Sequence, residues 1–304
     1  MIERYRNQVR LLLSVLPIIA DIDFFALKGG TAINFFWRDF PRLSVDIDLA
    51  YLPIKGRDES LQEIKNGVRT IAEEVSVHLP ESTITTHKSG GTLSKLIIRD
   101  TDAQIKVEVN TVLRGTLFDP VEREVKPKIQ DGFELFAAIQ TLSLEDLYGG
   151  KICAALDRQH PRDLYDVKLL FENEGITEQV RTAFIGYLIS HSRPIHELLN
   201  PNPIELEGTY RKEFEGMTNE LVPLEKLIEV QDELPELLLE ELTEKERAFL
   251  ISFQQADPQW DSIPISHLKE LPGVRWKLIN IKKMDKRKHQ EMGEKLEGVL
   301  TRNN

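Results

Sequence analysis

The chain has 304 residues, of which 41% are hydrophobic and 29% are charged, so it has the composition of a globular protein and is long enough for two domains. A net charge of −11 argues against non-specific nucleic-acid binding, and the single cysteine, Cys153, excludes an internal disulfide and a cysteine-rich zinc site. The single cysteine fits a reducing cytoplasm, where we expect the protein, and the apolar run from Leu11 to Ala20 is too short to span a bilayer.

The first predicted element is an amphipathic, buried helix over residues 3–19, because apolar side chains recur there at three- and four-residue spacing. A short apolar strand over residues 24–27 then runs into the turn Lys28-Gly29-Gly30, and Thr31 is placed as the N-cap of a helix that reaches Arg38. A Gly-Gly-Thr turn that opens a helix presents free backbone N–H groups to phosphate oxygens. We therefore expect this turn to bind phosphate.

Acidic and apolar residues alternate in the next predicted strand, Val45-Asp46-Ile47-Asp48-Leu49. Because successive side chains on a strand point to opposite faces, the carboxylates of Asp46 and Asp48 project from the same face, about 6–7 Å apart. Two like charges this close need neutralising, either by a divalent cation or by Lys and Arg residues in a structural network. The Gly-Gly-Thr turn upstream favours the cation, so the two motifs together predict a site for a nucleoside triphosphate and its metal.

One more helix and three strands are predicted up to residue 110. The helix covers residues 60–78, and the strands cover residues 83–86, 92–99 and 103–110. In the last strand Glu108 shares a face with Lys106 and Asn110, so Glu108 lies beside Asp46 and Asp48 if the two strands are neighbours. The alternative is an exposed strand with a charged outer face.

From Ser143 onward the pattern is helical. Ser143 is an N-cap candidate for one helix, and His160-Pro161 separates it from a second helix that begins near Arg162. On the second helix Asp166 lies within reach of Arg162, and on composition alone we interpret this as a surface ion pair that contributes ~0.3–0.5 kcal/mol. Residues 177–253 are rich in Leu and Glu with almost no strand pattern, which predicts a helical domain.

One segment departs from the acidic balance of the chain. Residues 275–289 carry seven Lys or Arg residues against one Asp, a net charge of +6, which leaves −17 for the rest of the chain. Together with Trp276, this charge is suited to guide a phosphate backbone. The alternative is a C-terminal helix with a solvated basic face, which explains the pattern equally well.

Several enzyme classes are disfavoured because their motifs are missing. The sequence contains no G-x-x-x-x-G-K-[ST] and no G-x-G-x-x-G, which disfavours a P-loop or Rossmann enzyme. No Ser-His-Asp arrangement is visible around Ser44, and the seven histidines show no paired metal-ligand spacing. The paired acids and the glycine turn therefore remain the strongest signals of function.

Four motifs carry a resemblance to a known family. They are Leu27-Lys28-Gly29-Gly30-Thr31-Ala32-Ile33-Asn34, Arg42-x-Ser44-x-Asp46-Ile47-Asp48-Leu49, Lys151-Ile152-x-Ala154-Ala155 and Arg162-Asp163-Leu164-Tyr165-Asp166. A strand, a Gly-Gly-Thr turn, a helix and an Asp-x-Asp strand resemble the nucleotidyltransferase superfamily related to DNA polymerase beta. More narrowly, the four motifs resemble the AbiEii/AbiGii, or MenT-like, nucleotidyltransferases of abortive-infection and toxin–antitoxin systems.

The resemblance implies an α+β fold in two parts. The first, over residues 1–135, would be a polymerase-beta-like nucleotidyltransferase core with a small mixed sheet. The second, over residues 136–304, would be a mainly helical domain that supplies Lys151 and Asp166 to the cleft.

The resemblance also implies roles for individual residues. Asp46 and Asp48, with Glu108 as the third candidate, would hold Mg²⁺ or Mn²⁺. Lys151 would neutralise triphosphate charge, and Asp166 would orient Lys151 or the attacking hydroxyl. The nucleotide-binding candidates are Lys28, Gly29, Gly30, Thr31, Arg42 and Ser44. For Arg42, both a phosphate contact and a role in fixing the Asp-x-Asp strand remain open.

The function implied is a Mg²⁺-dependent nucleotidyltransferase toxin of phage defence. It would transfer a nucleoside monophosphate from an NTP to RNA, at the 3′ end of tRNA, and its cognate antitoxin would be encoded alongside. One alternative is the same chemistry on an antibiotic or a protein side chain, since an acidic protein attracts cationic drugs. The other is an inactive module that binds NTP or RNA.

Overall fold

The computed structural model describes residues 3–301. The chain forms two compact units, Met1–Leu147 and Tyr148–Asn304. This division lies after Leu147 rather than at the predicted residue 135, because the strand over Ala138–Thr141 pairs with strands of the first unit.

The first unit is built around a seven-stranded mixed sheet, which confirms the expected α+β class. Its strands are β1 (Phe25–Lys28), β2 (Asp46–Tyr51), β3 (Thr83–Ser89), β4 (Thr92–Arg99), β5 (Gln104–Val109), β6 (Val121–Glu124) and β7 (Ala138–Thr141). Their order across the sheet is β3-β4-β5-β2-β1-β7-β6, parallel at β5/β2 and β1/β7 and antiparallel elsewhere. Strands β2 and β5 are parallel neighbours near the middle of the sheet, and they are the strands predicted to carry the acids.

Helices cover the apolar face of this sheet. The helices of the first unit are α1 (Glu3–Ala20), α2 (Gly29–Thr31), α3 (Arg57–His78) and α4 (Pro127–Phe133). Helix α1 contacts β5, β7 and α3, and α3 contacts β4. The apolar residues that predicted a buried first helix are all buried, namely Val9, Leu12, Leu13, Leu16 and Ile19. Ile47 and Leu49 of β2 are fully buried, so Asp46 and Asp48 project from the opposite face.

The second unit is helical. Helix α5 (Leu144–Arg158) runs into it, and it contains α6 (Pro161–Asn173), α7 (Glu178–Leu188), α8 (Ile195–Leu199), α9 (Glu207–Glu213), α10 (Leu224–Glu241), α11 (Glu244–Gln254), α12 (Pro272–Lys282) and α13 (Lys286–Leu300). Ser143 caps α5 as predicted, since its Oγ accepts a hydrogen bond from the Asp146 N–H at 3.1 Å. His160 caps α6, with Nδ1 accepting from the Arg162 N–H at 3.1 Å. Among the helices within residues 3–301, none is both long enough and apolar enough to cross a membrane.

Candidate active site

The glycine turn brings two other segments of the first unit into close contact. Gly29 has φ +72°, and a Cβ atom there would lie 2.9 Å from Asp48 Oδ2. At Gly30 a Cβ would lie 2.6 Å from Arg42 Nη2 and 2.9 Å from Ser44 Oγ. The positive φ favours glycine at Gly29, whereas at Gly30 a larger residue would have to displace the side chains of Arg42 and Ser44. The turn, Asp48 and the Arg42–Ser44 segment form one cluster.

Thr31 does not cap a helix, so that prediction was wrong. Helix α2 begins at Gly29, with Lys28 as its N-cap, and continues directly as a π-helix over Ala32–Trp37. The Thr31 hydroxyl donates instead to the carbonyl oxygen of Asp46 at 2.5 Å, and the side chain is buried. Thr31 thus fastens the glycine turn to the first residue of β2. Such single-turn π-helical segments are frequent at functional sites.

Arg42 and Ser44 lie against the same turn. The hydroxyls of Ser44 and Thr31 form a hydrogen bond of 3.0 Å. Arg42 is buried, and its Nη1 donates to the Leu43 carbonyl at 2.8 Å. The predicted nucleotide-binding residues of this region are therefore close together in the fold.

A row of charged side chains crosses the sheet beside the turn. Strands β2 and β5 are parallel neighbours, and their register places Asp46 opposite Lys106 and Asp48 opposite Glu108. On the other side of β2, Lys28 of β1 lies opposite Asp48. The prediction that Glu108 lies beside the Asp-x-Asp pair is confirmed. Asp46 and Glu108 are 42% and 41% exposed, so a ligand has access to these acids.

Lys106 neutralises these acids. Its Nζ lies 3.7 Å from Asp46 Oδ2 and 3.2 Å from Glu108 Oε2. Burial alone would lower the pKa of Lys106, but the charges of Asp46, Asp48 and Glu108 outweigh burial and raise that pKa above its ordinary value. We had not predicted this role, although alternation along β5 puts Lys106 on the acidic face.

The acids also suit a divalent cation. Mg²⁺ prefers oxygen ligands, and it is usually held by one or two carboxylates with water and substrate phosphates completing its octahedron. Asp46 and Asp48 supply such a pair on one face of β2. Across residues 3–301, no group of three or more His, Cys, Asp or Glu side chains is arranged to hold a metal ion. The Asp46–Asp48 pair fits an ion that takes its remaining ligands from nucleotide and water.

Comparison with known proteins identifies the family. The family model "Nucleotidyl transferase AbiEii toxin, Type IV TA system" matches residues 10–278 of the chain. The chain belongs to the AbiEii family. It is therefore a nucleotidyltransferase toxin of a type IV toxin–antitoxin system, and the resemblance found in its motifs is confirmed.

A solved structure shares the fold of this AbiEii-family chain. It is MenT4, a nucleotidyltransferase toxin from Mycobacterium tuberculosis H37Rv, with a TM-score of 0.62 and 13% sequence identity. The match covers 97% of this chain and 93% of MenT4. No curated protein sequence matches the chain significantly.

The later two AbiEii-family motifs meet in a buried cluster of the second unit. Lys151 Nζ donates to Asp163 Oδ1 at 2.8 Å and lies 3.0 Å from Asp166 Oδ2, and all three side chains are at most 7% exposed. Arg158 adds hydrogen bonds of 2.5 and 3.0 Å to Asp163. Burial alone would raise the pKa of Asp163, but Lys151 and Arg158 outweigh burial and hold that pKa well below its usual range.

The interpretation of Arg162 and Asp166 as a surface ion pair was wrong. Arg162 Nη2 lies 3.5 Å from Glu213 Oε2, whereas Asp166 is fully buried against Lys151. Asp163 is the group that our sequence analysis did not select. Its spacing from Asp166, one helical turn, was the available signal, because it places both carboxylates on the same side of α6.

Proposed function

We propose that this toxin transfers a nucleoside monophosphate from an NTP to the 3′-hydroxyl of an RNA and releases pyrophosphate, with a tRNA as the acceptor and Mg²⁺ as the cofactor. The observation that carries the proposal is the close approach of the Gly29 turn to the Asp48 carboxylate. Phosphate-binding backbone groups beside paired acids are what a metal-bound triphosphate requires. The choice of RNA, and of tRNA, rests on the family resemblance.

Mg²⁺ would be held by the Asp46 and Asp48 pair, with nucleotide and water oxygens as its other ligands, and Mn²⁺ has the same ligand preference. When bound, the ion supplies charge neutralisation at the phosphate that is attacked. The Lys106 ammonium, 3.7 Å from Asp46 Oδ2 and 3.2 Å from Glu108 Oε2, would compete with the ion for these carboxylates.

The chain's own residues position the substrate. The N–H groups of Gly29 and Gly30 contact outer phosphate oxygens, and Thr31 and Ser44 keep that turn fixed to β2. Lys28, opposite Asp48, places a positive charge beside the triphosphate. Because the chemistry is mainly positioning and charge stabilisation, small displacements of this turn reduce the rate strongly.

We extend the proposal to the Lys151 cluster on the basis of the family resemblance. Asp166 orients the Lys151 ammonium, to which it lies 3.0 Å away, within the second unit. Asp163 fixes the same ammonium from a second side. An antitoxin encoded alongside, and a role in abortive infection by phage, complete the proposal.

The experiment that tests the proposal is a labelling reaction. Purified protein is incubated with each α-³²P-labelled NTP, Mg²⁺ and total bacterial RNA, and the products are separated on a denaturing gel. We expect a labelled band of tRNA size with one preferred NTP, absent with EDTA and with the Asp46→Ala/Asp48→Ala variant. A matched control, Asp58→Ala/Glu59→Ala, removes two exposed acids of α3 and should label normally.

Two results would overturn the proposal. Label transferred to RNA by the Asp46→Ala/Asp48→Ala variant would remove these acids from the reaction. Label on protein, or on an added aminoglycoside with none on RNA, would move the activity to a different acceptor.

A further inference from the structure

The second unit exposes a surface that is both basic and apolar. It is formed by the outer face of α12 and the start of α13. We call it the α12–α13 surface and define it by Arg275, Trp276, Ile279, Lys282, Lys283 and Lys286, all of which are exposed.

Lys277 does not belong to this surface, although it lies in the basic segment. Its side chain is buried, and Nζ donates to the backbone carbonyls of His191, at 2.8 Å, and Arg193. Burial lowers the pKa of Lys277 to about 8. Lys277 thus anchors α12, and residues 275–289 expose six Lys or Arg side chains against one Asp.

Apolar and basic groups share one side of α12. Trp276 and Ile279 of α12, and Lys283 at its C-cap, follow the three- and seven-residue spacing of a single helix face. Trp276 is 47% exposed and Ile279 is 49% exposed, while Val274 and Ile281 on the other side are buried. An exposed indole beside cations is what binds unpaired bases and their phosphates, because a base stacks on the ring while the cations contact the backbone.

The cations of this surface have few charge partners within the protein. Within residues 3–301, no carboxylate lies within 4.0 Å of the charged group of Arg275, Lys282, Lys283 or Lys286. Lys286, Arg287 and Lys288 form the first turn of α13, where the helix dipole disfavours positive charge. Glu291 offsets part of the charge of Arg287 and Lys288, and an anionic ligand would stabilise the remaining cations of this surface.

We propose that the α12–α13 surface binds single-stranded RNA, with an unpaired base on Trp276 and phosphates against Lys282, Lys283 and Lys286. This rests on the proposed function, for which it names the surface that holds the acceptor. Single-stranded rather than duplex RNA is the ligand because the ring of Trp276 requires an unstacked base.

Fluorescence anisotropy with a 5′-fluorescein-labelled 12-nucleotide RNA, without NTP or divalent ion, tests the proposal. Lys282→Ala/Lys283→Ala/Lys286→Ala should weaken binding at least tenfold at 0.1 M salt. For this variant, the slope of log affinity against log salt concentration should be smaller in magnitude by about 2, since each of the three lost phosphate contacts to a single strand contributes about 0.7 to the slope. The control Lys212→Ala/Lys245→Ala/Lys269→Ala removes three exposed lysines of the same unit and should stay within twofold of wild type.

Trp276 is tested separately. Trp276→Ala should weaken binding by about tenfold without changing the salt slope, and Trp276→Phe should restore most of the affinity because it keeps a stacking ring. Circular dichroism melting curves verify that each variant is folded. Three results would each overturn the proposal: equal losses of RNA affinity in the two triple-lysine variants, an unchanged affinity of Trp276→Ala, or equally tight binding of the same RNA annealed to its complement.

This assay is independent of catalysis. If the labelling reaction fails but the surface variants lose RNA binding as expected, the proposed function falls and the RNA surface remains. If labelling succeeds and the surface variants bind RNA like wild type, the acceptor is held elsewhere and this inference falls alone.

Discussion

Replacing Asp163 by Asn tests the buried cluster of the second unit. Asp163 accepts from Lys151 at 2.8 Å and from Arg158 at 2.5 and 3.0 Å. Removing one partner of a buried ion pair costs about 3–5 kcal/mol, because the other charge stays buried. In this variant Asp166, 3.0 Å from Lys151, still compensates part of the Lys151 charge, and water solvates Arg158, which is 62% exposed. We therefore expect a loss at the lower end, about 3 kcal/mol.

Thermal and urea unfolding measure this loss. For a unit of this size about 3 kcal/mol corresponds to a fall in Tm of roughly 6–12 °C. Asp157→Asn is the matched control, because Asp157 pairs with Arg193 at 2.9 Å at a site where both side chains are at least 33% exposed. Its loss should stay below about 1 kcal/mol. Equal effects of the two substitutions would refute the burial argument.

The pH dependence of the stability difference between wild type and Asp163→Asn provides a second check. The pKa of Asp163 is lowered on folding, so its contribution to stability is present above its ordinary pKa of 3.8 and is lost as pH falls towards the folded value. The stability gap between wild type and Asp163→Asn should be constant from pH 5 to 7. Below pH 3.8 it should shrink by about 1.4 kcal/mol per unit. A gap that does not narrow in acid would contradict the assignment of Asp163 as a buried carboxylate.

The remaining predictions concern single substitutions in both units. Gly29→Ala should abolish binding of a fluorescent NTP and should lower Tm more than Gly90→Ala does. Both glycines have positive φ, which costs an alanine about 1–2 kcal/mol, but a Cβ atom at Gly29 also crowds Asp48. Lys106→Met should tighten Mg²⁺ binding about fivefold in calorimetry. This factor corresponds to ~1 kcal/mol, the interaction energy in water of two unit charges about 4 Å apart. An unchanged Mg²⁺ affinity would contradict the role of Lys106 as counter-ion. The pKa of Lys277 is lowered from 10.5 to about 8 in the folded protein, so Lys277 loses its proton at a lower pH in the folded state than in the unfolded state. Wild type should therefore gain about 3 kcal/mol over Lys277→Met between pH 8 and 10.5 in urea titrations, and a flat difference would refute this.

Regular periodicity made much of the first unit predictable. Helix α1 was found from its apolar spacing, and β4 was predicted with the bounds Thr92–Arg99 that it has. Alternation in β2 and β5 placed Asp46, Asp48 and Glu108 on one face. Sequence alone did not say that these strands are neighbours, because register depends on contacts between distant segments.

Short elements and buried charges were harder to predict. Strands β6 and β7 have four residues each, too few for a clear alternation, and both were missed. Thr31 has the residue type of an N-cap, but its hydroxyl bonds to the Asp46 carbonyl in β2. Asp166 was taken for a surface acid, since spacing along a helix does not reveal which side is buried.

The most direct test of the central claim is where a nucleotide is added to a defined RNA. A synthetic tRNA with a free 3′-hydroxyl and the same tRNA with a 3′-deoxy end are incubated with the preferred NTP and Mg²⁺, and the products are weighed by mass spectrometry. Nucleotidyl transfer to the RNA end predicts a mass increase of whole nucleoside monophosphates on the free 3′-hydroxyl tRNA alone, and none with Asp48→Asn. Equal addition to the 3′-deoxy tRNA, or no addition to either, would contradict it.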